Sequence, residues 1–236
     1  MAVISKTTQP GHKLRGIRSL SFMPAISTVK PCDQSCPVVT PFCRGECGNK
    51  PCYAFQPVLQ YTNTRKAWAE NYRLWKSNSF DFEIEIMKGL KNQARFRWFV
   101  GGDIPKYRGG AFIKMMIRIA KATPECQHFG FTRTWMIPEY RKLLNVLRKL
   151  PNVQYFASHD PTMPKPPNGW RVADIAMDLP DALRLITDDP LNRNVICPEQ
   201  LEKVRYPQRR ASERAVNCKK CGYCMRNGGS VIFLNH

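Results

Sequence analysis

The stretch FRWFVGGD, residues 96–103, is almost wholly apolar and then breaks into Gly-Gly-Asp. A short apolar run closed by glycines predicts a buried strand that ends in a tight turn. Downstream the pattern alternates. GAFIKMMIRIAKA, residues 110–122, places Phe112, Met116 and Ile119 at helical spacing, and QHFGFT, residues 127–132, alternates as a strand does. PEYRKLLNVLRKL, residues 138–150, opens on Pro and repeats Tyr140, Leu143, Leu144 and Leu147, as a helix would. VQYFAS (153–158) and WRVADIAM (170–177) read as further strands. Upstream, Trp68, Tyr72 and Trp75 form one helical stripe, and DFEIEIMKGLKNQ (81–93) suggests a second helix with Ile84, Met87 and Leu90 on its buried face.

Strand–helix–strand alternation predicts an α/β fold: a parallel sheet or a partial (β/α) barrel with helices outside and cysteine-rich, metal-binding segments at both ends. The chain divides into a cysteine-rich segment (1–56), an α/β core (57–195) and a C-terminal iron–sulfur-binding segment (196–236), packed as one domain. The Pro-rich HDPTMPKPPNG (159–169) punctuates the core without dividing it, and SVIFLNH (230–236) reads as a strand that could join the sheet.

Ligands of parallel α/β folds bind beyond the carboxyl ends of the strands. Those ends carry Gly101, Gly102 and Asp103, then Thr132 and Arg133, then His159 and Asp160. Taken singly, each set reads equally well as a turn or a cap. Three sets in equivalent places suggest one site, with Asp103, His159 and Asp160 as candidate catalytic groups. His128, in contrast, is expected to be structural.

Ten cysteines occur in 236 residues. The N-terminus has no signal-peptide core and no run is apolar enough to span a membrane, so a reducing cytoplasm is expected, where disulfides are rare. Metal is the better expectation. Cys218, Cys221 and Cys224 follow C-x₂-C-x₂-C, the run that wraps one side of a cubane in ferredoxins. Cys197, followed by Pro198, is the obvious fourth thiolate. A [4Fe–4S] cluster is the leading reading there and Cys₄ zinc the alternative. Cys32, Cys36, Cys43, Cys47 and Cys52 exceed what one site needs, and spacing does not choose among them, although Cys43, Cys47 and Cys52 are compact enough to share a centre. Cys126 stands alone and reads as a small buried hydrophobe.

Lys and Arg number 37 against 18 Asp and Glu, a net charge of +19. That imbalance favours a polyanionic partner, nucleic acid above all, or at the least a solubilising surface. The basic residues are scattered, not gathered in one tail.

SLSFMPAISTVKPC at residues 19–32, Cys-Tyr-Ala at Cys52, the GGD and FGFTRT units, and the ending CPEQ…CKKCGYCMRNGGSVIFLNH together resemble the phage gene product eighty-eight family. That likeness implies cysteine-bound metal and the cytoplasm of an infected bacterial host. More distantly, the chain resembles radical S-adenosylmethionine enzymes. Cys43, Cys47 and Cys52 are similar to their first-strand cysteine loop, Gly101-Gly102-Asp103 to the motif that touches the cofactor's amino group, and the terminal cysteines to an auxiliary cluster. This chain departs from them in its C-x₃-C-x₄-C spacing, in Asp at 103 in place of Glu, and in lacking an evident strand before Cys43. The likeness implies S-adenosylmethionine, bound among Gly101, Gly102, Asp103, Thr132 and Arg133, and a host reductant such as flavodoxin or ferredoxin. Two non-catalytic readings stand beside it: a metal-stapled nucleic-acid-binding or regulatory module, and a simple electron carrier.

Overall fold

A computed structural model describes residues 5–6, 14, 16–23, 36–48, 52, 54, 61–188, 194–209 and 216–235. Among these residues, eight strands form one sheet: β1 (Ser5–Lys6), β2 (Arg18–Leu20), β3 (Arg95–Trp98), β4 (Gln127–Thr132), β5 (Val153–His159), β6 (Val172–Ala176), β7 (Val195–Ile196) and β8 (Val231–Leu234). Their spatial order is β1-β2-β3-β4-β5-β6-β8-β7, so the sheet is open and not a closed barrel. Only β1 pairs antiparallel, and from β2 onward every pairing is parallel. Segments from both ends of the chain therefore contribute strands to the same sheet as the core. The closing apolar run is β8, inserted between β6 and β7.

From β2 to β6 the strands lie side by side in chain order. Right-handed crossovers between such strands put every connecting helix on the same face. The helices are α1 (Pro41–Arg44), α2 (Thr62–Ser77), α3 (Ser79–Leu90), α4 (Gly109–Ala122), α5 (Pro138–Leu147), α6 (Leu179–Thr187), α7 (Pro198–Arg205) and α8 (Cys218–Cys221). On the helix face, Leu20, Phe96, Trp98, Val153, Tyr155 and Ala157 pack against Tyr72 and Trp75 of α2, Phe112, Met116 and Ile119 of α4, and Leu144 and Leu147 of α5. The ring of Trp75 meets Phe112 edge-on at 5.0 Å between centroids. In α3 the buried residues are Phe82, Ile86 and Leu90, not the expected Ile84–Met87 stripe, and Met87 is exposed. The i, i+4, i+8 line carries the larger aromatic and wins the core contact.

Side chains alternate across strands, so the intervening residues face the other way. Arg97, Phe129, Phe131, Gln154 and Phe156 line this second face. Among the described residues, none of the helices that connect β2 to β6 packs on it. Leu14 and Ile17 from the N-terminal segment and Tyr223, Cys224 and Met225 from the C-terminal segment pack there instead.

Candidate functional site

β3 ends abruptly. Phe99 has φ 56°, a left-handed conformation that a bulky residue rarely adopts, and it turns the chain into Val100-Gly101-Gly102-Asp103. Two glycines are required for this turn to sit where it does. A Cβ on Gly101 would fall 2.2 Å from the Trp68 ring. Gly102 has φ +75°, and a Cβ there would meet the Phe22 carbonyl oxygen at 2.7 Å. The hydroxyl of Ser21 accepts from the N–H groups of Val100 and Gly101 at 3.0 and 3.2 Å, pinning the turn to the chain after β2.

The turn places Asp103 against the end of β4. Its Oδ1 accepts from the Thr132 hydroxyl (2.7 Å) and the Ile104 N–H (2.7 Å), and its Oδ2 from the Arg133 N–H (2.8 Å). Burial pushes this carboxyl up to about 6, against the downward pull of those three donors and of the Arg133 charge. With two lone pairs on each oxygen, Oδ2 keeps room for one more donor.

The Arg133 side chain turns towards β5. Its Nη2 lies 3.1 Å from Asp160 Oδ2, while its buried Nε has no hydrogen-bond partner among the described residues. Asp160 is wholly buried and fully engaged. Its Oδ1 accepts from the N–H (2.9 Å) and hydroxyl (2.6 Å) of Thr162, and its Oδ2 also accepts from the Thr40 hydroxyl at 2.8 Å. Thr40 is the N-cap of α1 and accepts from the Cys43 N–H at 3.2 Å. Its hydroxyl is also 3.3 Å from Cys43 Sγ, but it has one proton and the carboxylate is the nearer and stronger acceptor.

The cysteine loop is thus clamped onto the strand ends by a carboxylate that it shares with Arg133. Cys43 is buried, and the Cys52 N–H donates to its carbonyl at 2.9 Å. Burial raises the Cys52 thiol, with Cys43 adding to the rise and Arg133 opposing it. Against its own desolvation, the Arg133 guanidinium is held charged by Cys43, Asp160, Cys52 and Asp103 together. Cys47 is exposed in the turn after α1, and Cys36 is part-exposed just before it. Cys32 lies outside the described residues.

His159 stands apart from this group. Its Nδ1 is 2.6 Å from Asp174 Oδ1, its direct partner across the β5–β6 register, and its Nε2 is 3.3 Å from the Met163 carbonyl. Two acceptors favour two N–H groups, and the hydrogen bond to Asp174 raises the imidazole despite burial. The ring is occupied in joining two strands. His128 is fully buried, and burial pushes it down to about 4. The lone Cys126 is likewise buried, its thiol pushed up to about 12.

Cys197, Cys218 and Cys224 lie on the second face of the sheet. Cys218 and Cys221 are i and i+3 on α8, Cys197 is the N-cap of α7, and Cys224 follows in a 3₁₀ turn. Burial pushes the Cys224 thiol up to about 12; Cys197 and Cys218 add to this, and Arg97 and Arg171 oppose it. An all-sulfur donor set of this kind suits iron–sulfur or zinc by its chemistry. Among the described residues, no three Cys, His, Asp or Glu side chains converge closely enough to hold a single metal ion.

Sequence reasoning placed Gly101–Asp103, Thr132–Arg133, His159 and Asp160 on one rim; the structure brings all but His159, which pairs with Asp174, together with Cys43 and Cys52. It missed Thr40, Ser21 and Thr134, whose hydroxyl is 2.6 Å from that of Thr132. A Thr immediately before Pro41, at the start of the short helix containing Cys43, was a legible capping signal for Thr40. Ser21 carried none.

The gene product 88 family profile matches residues 2–227 of the chain. The chain belongs to the gene product 88 family. This phage gene-product family is the one that the terminal motifs of the sequence resemble. No curated protein and no solved structure gives a match. In this family member, no helix among the described residues is long and apolar enough to cross a membrane.

Proposed function

We propose that this chain is an iron–sulfur enzyme related to the radical S-adenosylmethionine class, with its reaction centre at the carboxyl rim of β3, β4 and β5. One observation carries the reading: Cys43 and Cys52 are fastened beside Arg133 and Asp103, at the strand ends where parallel folds bind ligands. Cys43, Cys47 and Cys52 would hold a three-thiolate cluster there, with Cys47 the exposed one. When bound, such a cluster supplies one electron, drawn from a host flavodoxin or ferredoxin, for reductive C–S cleavage of S-adenosylmethionine.

The chain's own residues bind and orient. The free lone pair of Asp103 Oδ2 suits the cofactor's ammonium, and the unpartnered Nε of Arg133 suits its carboxylate. Gly101 and Gly102 let the turn pack against Trp68 and Phe22 and so hold Asp103 at the rim. Asp160 and Thr40 are positioning groups that fix Arg133 and the cysteine loop. The net charge of +19 supports a polyanionic substrate, such as nucleic acid.

Iron and acid-labile sulfide measured on anaerobically purified protein test this. Iron and sulfide are expected in the wild type, with a partial loss in Cys43→Ser or Cys52→Ser and none in Cys126→Ala. Addition of S-adenosylmethionine to the reduced protein is expected to change the EPR spectrum and yield methionine. Zinc alone, or an unchanged spectrum without cleavage, overturns the enzyme reading.

A further inference from the structure

The second face of the sheet holds two arginines whose placement the rim does not use. Arg97, on β3, is buried; its Nε donates to the Phe99 carbonyl at 3.3 Å, and its guanidinium stacks over Phe131, 5.2 Å from the ring centroid. Phe131 packs in the same cluster as Cys197, Tyr223 and Cys224. Arg171, at the start of β6, is fixed more tightly still. Its Nε donates to the Gly229 carbonyl (2.9 Å), and its Nη1 donates to Gln154 Oε1 (2.7 Å) and the Arg226 carbonyl (2.6 Å). Its guanidinium covers Phe156 at 4.2 Å and Tyr223 at 5.6 Å, and among the described residues its buried Nη2 has no hydrogen-bond partner.

No carboxylate ion-pairs with either arginine among the described residues. What these cations share is a cluster: the rings they stack on, Phe131 for Arg97 and Phe156 and Tyr223 for Arg171, pack together with Cys197 and Cys224. A buried guanidinium and a half-buried one, without acidic partners among the described residues, are costly unless a negative charge forms beside them. Four thiolates outweigh the charge of an iron–sulfur core and make such a net-negative group.

We propose that Arg97 and Arg171 are the counter-cations of a thiolate-bound iron–sulfur centre on Cys197, Cys218, Cys221 and Cys224, and that they raise its reduction potential. The proposal rests on the iron–sulfur reading of these cysteines. Reduction adds negative charge to the centre, and a fixed cation nearby favours the reduced form. The arginines are positioning residues: they are not ligands, and removing one should leave the centre assembled and change its poise.

The experiment is an EPR-monitored redox titration of anaerobic full-length protein. The signal that disappears in Cys218→Ser identifies the C-terminal centre. Arg97→Gln and Arg171→Gln are each expected to lower the reduced-to-oxidised ratio of that signal about tenfold at fixed potential, a shift of about 59 mV for one electron. Arg97→Lys and Arg171→Lys are expected to stay within about threefold of wild type, because charge is what matters. Arg171→Gln and the lysine pair carry the test if Arg97→Gln misfolds. Iron and sulfide present with an unmoved potential in the glutamine variants overturns the counter-cation role alone. A wild-type preparation in which Cys218→Ser removes no iron–sulfur signal overturns the underlying reading, and the inference with it.

Discussion

At the scale of single residues, the rim is organised by Asp160. Its two oxygens gather donors from three separate parts of the chain: Thr40 before α1, Arg133 after β4, and Thr162 just beyond β5. A buried carboxylate facing a buried guanidinium contributes little net stability by itself, but breaking one half leaves the other charge uncompensated. Asp160→Asn is therefore expected to cost about 3 kcal/mol in urea denaturation. The double variant Asp160→Asn, Arg133→Met should recover much of that loss, since both charges are then gone. If the two single losses simply add in the double variant, the pair is not coupled. Asp103 differs in kind. It is satisfied by neutral donors, and although burial raises it to about 6 it is mostly ionised at neutral pH, which leaves it open to a further cationic donor.

At the scale of elements, the turn after β3 positions the site because three constraints meet in it. Phe99 and Gly102 both take left-handed backbone, Ser21 ties down two consecutive N–H groups, and the Trp68 ring sits where a Cβ of residue 101 would be. Gly102→Ala introduces a Cβ at positive φ against a backbone oxygen that cannot swing away. The expected cost is roughly 1–3 kcal/mol, with Asp103 displaced from Thr132. Thermal unfolding measures the first part. Protection of the Arg133 amide from hydrogen exchange measures the second, because that N–H is held by Asp103. Undiminished protection in a destabilised variant would separate the turn from the carboxylate. The α3 helix shows the limit of periodicity: both its faces carry apolar residues, and the choice between them was made by what lay opposite, namely Phe22 and Phe112 around Phe82.

At the scale of the whole molecule, two histidines give stability opposite pH dependences. His128 is held neutral, with a folded value of about 4 against an ordinary 6.5. The unfolded chain therefore binds this proton first, and stability from His128 is full above about 6.5 and lost as pH falls towards 4. The loss is on the order of 3 kcal/mol. His159 is raised by Asp174, so its contribution is full below about 6.5 and lost as pH rises through its folded value. Asp103 adds a counter-trend: its charged form is disfavoured on folding, so it lowers stability as pH rises from 3.8 to about 6. Comparing wild type with His128→Phe cancels the other two groups. The difference in unfolding free energy is expected to shrink by about 3 kcal/mol from pH 7 to pH 4. A flat difference would mean that His128 is not buried in its neutral form.

The alternating strand and helix patterns of residues 96–177, the buried stripes of α2, α4 and α5, and the grouping of Asp103, Arg133 and Asp160 at strand ends were legible in the sequence. Each of these rests on local periodicity and on a general property of parallel sheets. The short strands β2 and β7 were not, because two or three residues give no period to read; they exist because their edges are paired by β3 and β8. Spacing sorted the cysteines into two sets, but it could not say where on the sheet each set lies. Tertiary structure did that: one-sided crossovers leave the second face of the sheet bare, the C-terminal segment covers it with Cys197, Cys218 and Cys224, and the shared carboxylate of Asp160 holds Cys43 and Cys52 at the rim. Residues that are far apart in the chain meet only where the sheet brings them, and no local pattern encodes that meeting.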